Sequence, residues 1–308
     1  MATRFWLILV AIGAAFGLSF AFNEVLLGHY GPLTVSTLRV AIGAAGCWIW
    51  GLATGRQAAA SVATISGVTL FGVFQFAAPF AVLPLAQQHI SSASAGIANA
   101  MTPAAMVVIS HLWPGGERAT AGKLCGVAFG VAGIALLATH GAETGGSDPR
   151  YVLLALGAPA SYAIAFNFVR RFRGIDPVVL TAWAMTGGCL AIAPFALAVD
   201  GVPATPDATA LAALLVVGIG LSSVTFIVMY SILPHVGATN LSLVTFVAPI
   251  SATLIGALAF GEVIGLAHLF GIAMILAGLI TIDGHIPSQL MWRGARPTRT
   301  ARGATPST

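Results

Sequence analysis

Apolar residues fill this chain in long runs, and polar residues come in short clusters between them. A run of ~20 apolar residues is long enough to cross a bilayer as a helix. The pattern predicts about ten such helices, at roughly 5–22, 33–53, 63–86, 91–113, 120–139, 151–170, 177–198, 209–233, 238–260 and 264–283. The breaks are brief: NEVLLGHYGP after the first run, GRQAAAS after the second, PGGERA after the fourth. The longest internal break, HGAETGGSDPR at 140–150, divides a first half, 1–139, from a second, 151–283. Residues 284–308 are rich in Arg, Pro, Thr and Ser without apolar periodicity, the composition of a disordered tail. The opening MATRFWLILVAIGAAFGLSFAF has the Arg, apolar core and small residues of a signal peptide. It is also long enough to span and has a counterpart later in the chain, so it reads as the first helix.

The two halves repeat each other. HISSASAGIANAMTPAAMVVISHLWPGGE, at His89–Glu117, is matched by HVGATNLSLVTFVAPISATLIGALAFGE, at His235–Glu262. In each, a His opens the segment, a Pro follows fourteen positions on (Pro103, Pro249), and a Glu closes it. Ala21-Phe22-Asn23-x-Val25 recurs as Ala165-Phe166-Asn167-x-Val169, and Pro32 corresponds to Pro177. Gly126-x-Ala128-x-x-x-Ala132-Gly133 recurs as Gly271-x-Ala273-x-x-x-Ala277-Gly278, again at an offset near 145. Small-residue patterns are common in membrane helices, so the weight lies in several matches keeping one order and one offset. An odd number of helices per half requires the halves to be inverted across the membrane. Proline-interrupted helices in corresponding halves point to a transporter with its site between them.

Composition narrows the class. Charged residues make up 7% of the chain and apolar residues 58%, against roughly 25% charged in soluble domains. The expected class is all-α integral membrane, with ten transmembrane helices in two inverted five-helix repeats and the lipid bilayer as solvent. The net charge of +4 does not imply a nucleic-acid partner. Its Lys and Arg fall on one side: Arg4, Arg56, Arg118, Lys123, Arg170, Arg171, Arg173 and the tail on inner segments, Arg150 alone outside. Basic loops mark the cytoplasmic face, so both termini are expected in the cytoplasm, in a bacterial-type plasma (inner) membrane. Cys47, Cys125 and Cys189 are odd in number and far apart, which suggests neither a disulfide framework nor a metal site. No phosphate-binding glycine loop with its Lys is present. No cofactor or metal is expected, and the expected unit is a monomer.

Several of these residues carry a family resemblance. They are Gly17-Leu18-Ser19-Phe20 in the first helix, Pro32 and Arg39 in the second, and the Pro103…Glu117 and Pro249…Glu262 segments with their Gly-rich following helices. On them the sequence resembles the EamA-type members of the drug/metabolite transporter superfamily over nearly all of 5–283. The resemblance implies ten helices in two inverted repeats. In overall make-up the chain is most similar to the amino-acid exporters, including those for aromatic amino acids.

The candidate site starts from the prolines. A proline in a helix leaves the carbonyl four residues earlier without its donor, and those carbonyls belong to Asn99 and Thr245. One reading is a mid-membrane site hinged at Pro103 and Pro249; the other is a packing kink with Asn99 as interhelical glue. Arg39 is the one Lys or Arg well inside a span, the others lying at or beyond span ends. It contacts substrate, snorkels to the interface, or holds helix-end carbonyls or Glu24. Gln75, Phe76, Tyr162, Trp183, Phe226, Tyr230 and Phe246, with Asn23, Phe20, Phe80, Phe166 and Asn167, are candidates for an amphipathic pocket. Asp and Glu lie only at or beyond span ends, so neither a carboxylate proton relay nor a fixed-charge site for organic cations is available. Ser19, Ser161, Ser222 and Ser251 have no mid-membrane His to pair with, which argues against an intramembrane enzyme. The expectation is export of amino acids, aromatic or large apolar, by alternating access and without obligatory proton coupling. The alternative is a broad-specificity drug/metabolite carrier.

Overall fold

The computed structural model describes residues 3–56, 61–115, 118–143, 148–172, 174–241, 244–261 and 264–283. Within these, the side chains of 137–143, 237–241, 245, 246, 267, 279, 282 and 283 lie outside the description, as do Glu117, Glu262 and the segment 284–308. Every regular element described is helical. Among the described residues, seven helical stretches are long and apolar enough to cross a membrane: α1 (Thr3–Leu27), α2 (Pro32–Ala53), α3 (Val62–Gln87), α4 (Ser92–Leu112), α6 (Pro149–Phe172), α7 (Pro177–Val199) and α8 (Ala208–Val236). Three more, α5 (Ala121–Glu143), α9 (Val244–Phe260) and α10 (Leu266–Asp283), have shorter described apolar stretches, Ala121–Leu136, Val247–Phe260 and His268–Gly278.

Helix starts are set locally. Pro32, Pro149 and Pro177 stand in the first turns of α2, α6 and α7, where a missing N–H is not needed. Ser61, Ser91, Asp148, Asp176 and Asp207 each accept a hydrogen bond from a first-turn backbone N–H. The start of α2 is different, because its cap is Gly31, without a side chain. Asp200, at the end of α7, supplies the acceptor, taking a 2.7 Å hydrogen bond from Thr34 N. Gly31 is what admits it, since a Cβ there would lie 2.3 Å from the Asp200 carboxyl carbon. At the opposite end of the pair, Arg56 beyond α2 forms an ion pair with Asp176 at the start of α7.

Helix packing follows the repeat. α1 packs on α9 as α6 packs on α4, and α2 on α8 as α7 on α3, while α2–α7 and α5–α10 pair with each other. Adding five to each helix number carries this set of contacts onto itself. The approaches are close enough to need glycine. A Cβ on Gly72 of α3 would stand 1.8 Å from the Ala184 carbonyl oxygen of α7, and one on Gly278 of α10 would stand 2.5 Å from Gly126 O of α5. Without a hydrophobic drive between helices in lipid, such backbone contact supplies the packing.

Two departures from regular helix matter for the site. α3 and α8 each contain a π-helical stretch, Val73–Ala77 and Val216–Val224, at matching places in the halves. The proline segments, by contrast, do not match. α4 breaks at Ala100–Met101, between Ser92–Asn99 and Thr102–Leu112, with Pro103 in the first turn of the second piece. α9 runs unbroken through Pro249. The expected pair of broken helices is therefore one broken helix and one continuous one. A proline within a helix removes a single hydrogen bond, and in α9 the turns on either side hold.

Candidate functional site

α1, α2, α3, α4, α6, α8 and α9 surround a cavity of about 120 Å³. That is of the order of the ~150 Å³ void that takes up a benzene ring in an engineered core. One face of α1 contributes Phe16, Ser19, Phe20 and Asn23; α3 contributes Gln75, Phe80 and Leu83; α4 contributes Asn99, Ala100, Thr102 and Pro103 at its break, and Met106. Tyr162 and Phe166 of α6, Phe226 and Met229 of α8, and Val244 and Ala248 of α9 close it from the second half. The π-helical stretch of α3 carries Gln75. The stretch in α8 carries Ser222, a ligand of Arg39. Such stretches recur at functional sites because the extra residue re-aims side chains within an otherwise regular helix.

Arg39 is the one charged residue of the wall among the described residues, and it is buried, with 5% of its surface exposed. Its Nε donates to Ser222 Oγ at 2.9 Å, its Nη1 reaches Asn23 Oδ1 at 3.5 Å, and its guanidinium carbon lies 3.9 Å from the centre of the Phe80 ring. Asn23 donates to Gln87 Oε1 at 3.0 Å, and Gln87 donates to the Phe20 carbonyl at 3.0 Å. This neutral network fixes the cation between α1, α2, α3 and α8. Ser36 of α2 also donates to the Phe80 carbonyl, tying α2 to α3 beside it. Of the readings for Arg39, snorkelling to the interface is excluded by this burial.

Asn99 is at the break in α4. The carbonyl freed by Pro103 is not open, because Thr102 Oγ1 donates to it at 2.7 Å. The side-chain oxygen Oδ1 is buried and has no hydrogen-bond partner among the described residues. The polar opening at the break is thus the amide side chain, not the backbone.

The structure brings Arg39, Gln75, Asn99, Pro103, Tyr162 and Phe226 into one wall. Phe76 stands behind it, fully buried, with its ring 4.8 Å from Phe226 and 5.7 Å from Phe80. Tyr230 packs beside Phe226 and Phe71 outside the cavity. Trp183 meets Trp48 edge to face at 5.0 Å between α7 and α2, away from the site. None of these three lines the cavity, and on a helix apolar on every face the sequence gives a ring no direction. Pro249 is not in the wall, though its neighbour Ala248 is. The side chains of Thr245 and Phe246 lie outside the described residues. Sequence reasoning missed Phe16, Leu83, Met106 and Met229 as wall residues. The spacing Phe16, Ser19–Phe20, Asn23 is one helical face ending in a polar residue, and that signal was readable.

Comparisons with known proteins agree with this architecture. The profile of the EamA-like transporter family matches residues 4–139 and again 149–282. The chain is 23% identical over 276 residues to the uncharacterized transporter YoaV of Bacillus subtilis (strain 168), covering 88% of this chain and 94% of that one. It is 27% identical over 221 residues to an uncharacterized transporter of Archaeoglobus fulgidus, covering 70% and 75%. A protein known from a crystal structure shares the fold with a TM-score of 0.65 at 21% identity, over 91% of this chain and 98% of that one.

Proposed function

Since the chain belongs to the EamA-like transporter family of multi-pass membrane proteins, we propose that it carries small zwitterionic metabolites, amino acids with aromatic or large apolar side chains, by alternating access about the cavity. The observation that supports this most is the composition of the wall: among the described residues, phenylalanine rings around one cation, with no carboxylate. Rings supply affinity by stacking and desolvation, and the absence of a wall carboxylate disfavours lipophilic cations.

In this reading all ten helices cross the inner membrane, α5, α9 and α10 included, as two inverted repeats with both termini in the cytoplasm. The solute binds beside Asn99 and the halves rock about it, as inverted-repeat carriers do. Transport runs outward down the solute's own gradient, because the described residues of the cavity wall include no carboxylate for a proton relay. The test is counterflow in proteoliposomes with a panel of amino acids and lipophilic cations. Exchange of leucine and phenylalanine but not of the cations is expected. Asn99→Leu should weaken the apparent affinity several-fold, the worth of ~1 kcal/mol for a lost hydrogen bond. Exchange of the cations without the amino acids would refute the reading.

A further inference from the structure

The cavity wall contains a cation, Arg39, with no counter-ion among the described residues. Neither ion pair among the described residues, His29–Asp207 or Arg56–Asp176, involves Arg39. Its partners, Ser222, Asn23 and the Phe80 ring, are neutral. A guanidinium has five N–H donors. Nε and Nη1 make the hydrogen bonds described, and Nη2 makes none among the described residues. A buried ion held this way is costly unless something brings it the opposite charge.

The repeat indicates that the fold does not need this charge. Arg39 of α2 corresponds to Ala184 of α7. The Arg39 carbonyl faces Gly218, in the π-helical stretch of α8, as the Ala184 carbonyl faces Gly72, just before the π-helical stretch of α3. One backbone contact is made twice, once with an arginine side chain and once with a methyl group. The guanidinium is therefore an addition to the scaffold, placed on the cavity side only.

Asn99 Oδ1, on α4 in the wall of the same cavity, is a buried acceptor without a donor among the described residues. The wall thus offers a donor pole on α2 and an acceptor pole on α4, with phenylalanine rings around them. We propose that Arg39 binds the carboxylate of the solute and Asn99 Oδ1 accepts from its ammonium group. The cavity then selects the intact α-amino acid headgroup over an amine or an acid of the same shape. Arginine suits this role because its planar fork matches a carboxylate. This rests on the transport reading above and adds a headgroup-recognition role for two named residues.

The experiment is competition for leucine counterflow in proteoliposomes of the full chain. The competitors are phenylalanine, phenethylamine, which lacks the carboxylate, and 3-phenylpropionate, which lacks the ammonium group. In the wild-type protein phenylalanine should compete at least tenfold better than either analogue. Arg39→Gln should lower the apparent affinity for phenylalanine at least tenfold and bring it level with phenethylamine. Arg39→Lys should keep the preference for phenylalanine over the amine at reduced affinity. Asn99→Leu should weaken phenylalanine and leave 3-phenylpropionate unchanged. Equal competition by phenylalanine and phenethylamine in the wild-type protein overturns the assignment, whatever the variants do. So does an Arg39→Gln protein that is monodisperse and keeps the wild-type preference. A wild-type protein that exchanges no amino acid overturns the transport reading itself, and the two failures are distinct.

Discussion

Gly278 tests whether the repeated glycine motif is a packing device. In α10 a Cβ at Gly278 would stand 2.5 Å from Gly126 O, 3.1 Å from Gly130 N and 3.3 Å from Phe129 Cβ of α5. The matching glycine of the first half, Gly133, would put a Cβ 2.9 Å from Gly271 O. Ordinary contact begins near 3.4 Å, so Gly278→Ala forces a local shift of 0.9 Å (3.4 − 2.5) against backbone, which cannot rotate away. Overpacking of this kind costs ~1–3 kcal/mol. Alanine's helix propensity offsets about 1 kcal/mol of it. The net expectation is destabilisation of up to ~2 kcal/mol. Gly278→Val adds bulk at the same point with less propensity gain and should cost more. Gly122→Ala, in α5 with nothing within 4 Å, is the control and should be neutral or stabilising by up to ~1 kcal/mol. Thermal unfolding of the purified protein in detergent should rank Gly122→Ala at or above wild type, then Gly278→Ala, then Gly278→Val. Counterflow per folded molecule should hold in all three, because none lines the cavity. A Gly278→Val protein that melts with the wild type would refute the idea that backbone contact at this motif holds α5 to α10.

Asp200→Ala should lower stability by ~0.5–2 kcal/mol through loss of the acceptor at Thr34 N, and Asp200→Asn should restore most of it; equal melting of all three proteins would remove Asp200 as the cap of α2. Ser223→Ala deletes the 2.6 Å hydrogen bond to Gly43 O between α8 and α2 and should cost ~1 kcal/mol in the same assay, no change counting against it. In a background lacking Cys47, Cys125 and Cys189, a cysteine at position 147 should react with an impermeant thiol reagent from outside and one at 307 should not; the reverse pattern would overturn the proposed orientation. Outward counterflow of phenylalanine should persist when pH gradient and membrane potential are both abolished, and its arrest would refute gradient-driven facilitation.

What could be read from the sequence depended on contrast. Arg39 and Asn99 are polar in apolar runs, so they stood out and both reached the cavity. Trp183, Tyr230 and Phe76 had no such contrast. On a helix that is apolar all round, periodicity does not say which face meets protein, cavity or lipid. The Gly–Ala motif of α5 and α10 was legible as a repeat, and the structure adds that its two copies meet each other. The cap of α2 was half legible. A glycine before Pro32 leaves an acceptor missing, but only the pairing of α2 with α7 decides that Asp200 fills it. The π-helical stretches left no trace, since one extra residue in a uniformly apolar run changes no pattern.

Symmetry and its failures divide the molecule by role. The close backbone contacts recur in both halves: Gly72 with Ala184, Gly218 with Arg39, Gly126 with Gly278, Gly271 with Gly133. A carrier that alternates needs two states of similar free energy, and two halves built on the same contacts can exchange conformations at small net cost. Departures from symmetry gather at the cavity. α4 is broken where α9 is continuous, and Arg39 stands where the other half has Ala184. The broken α4 presents Asn99 at the end of its first piece, with the freed carbonyl already taken by Thr102. A symmetric pocket would offer the same chemistry twice and would suit a solute with two like ends. Paired donor and acceptor poles suit a solute with two unlike ends. The repeat thus accounts for the proposed motion, and the residues that violate it account for the proposed choice of solute.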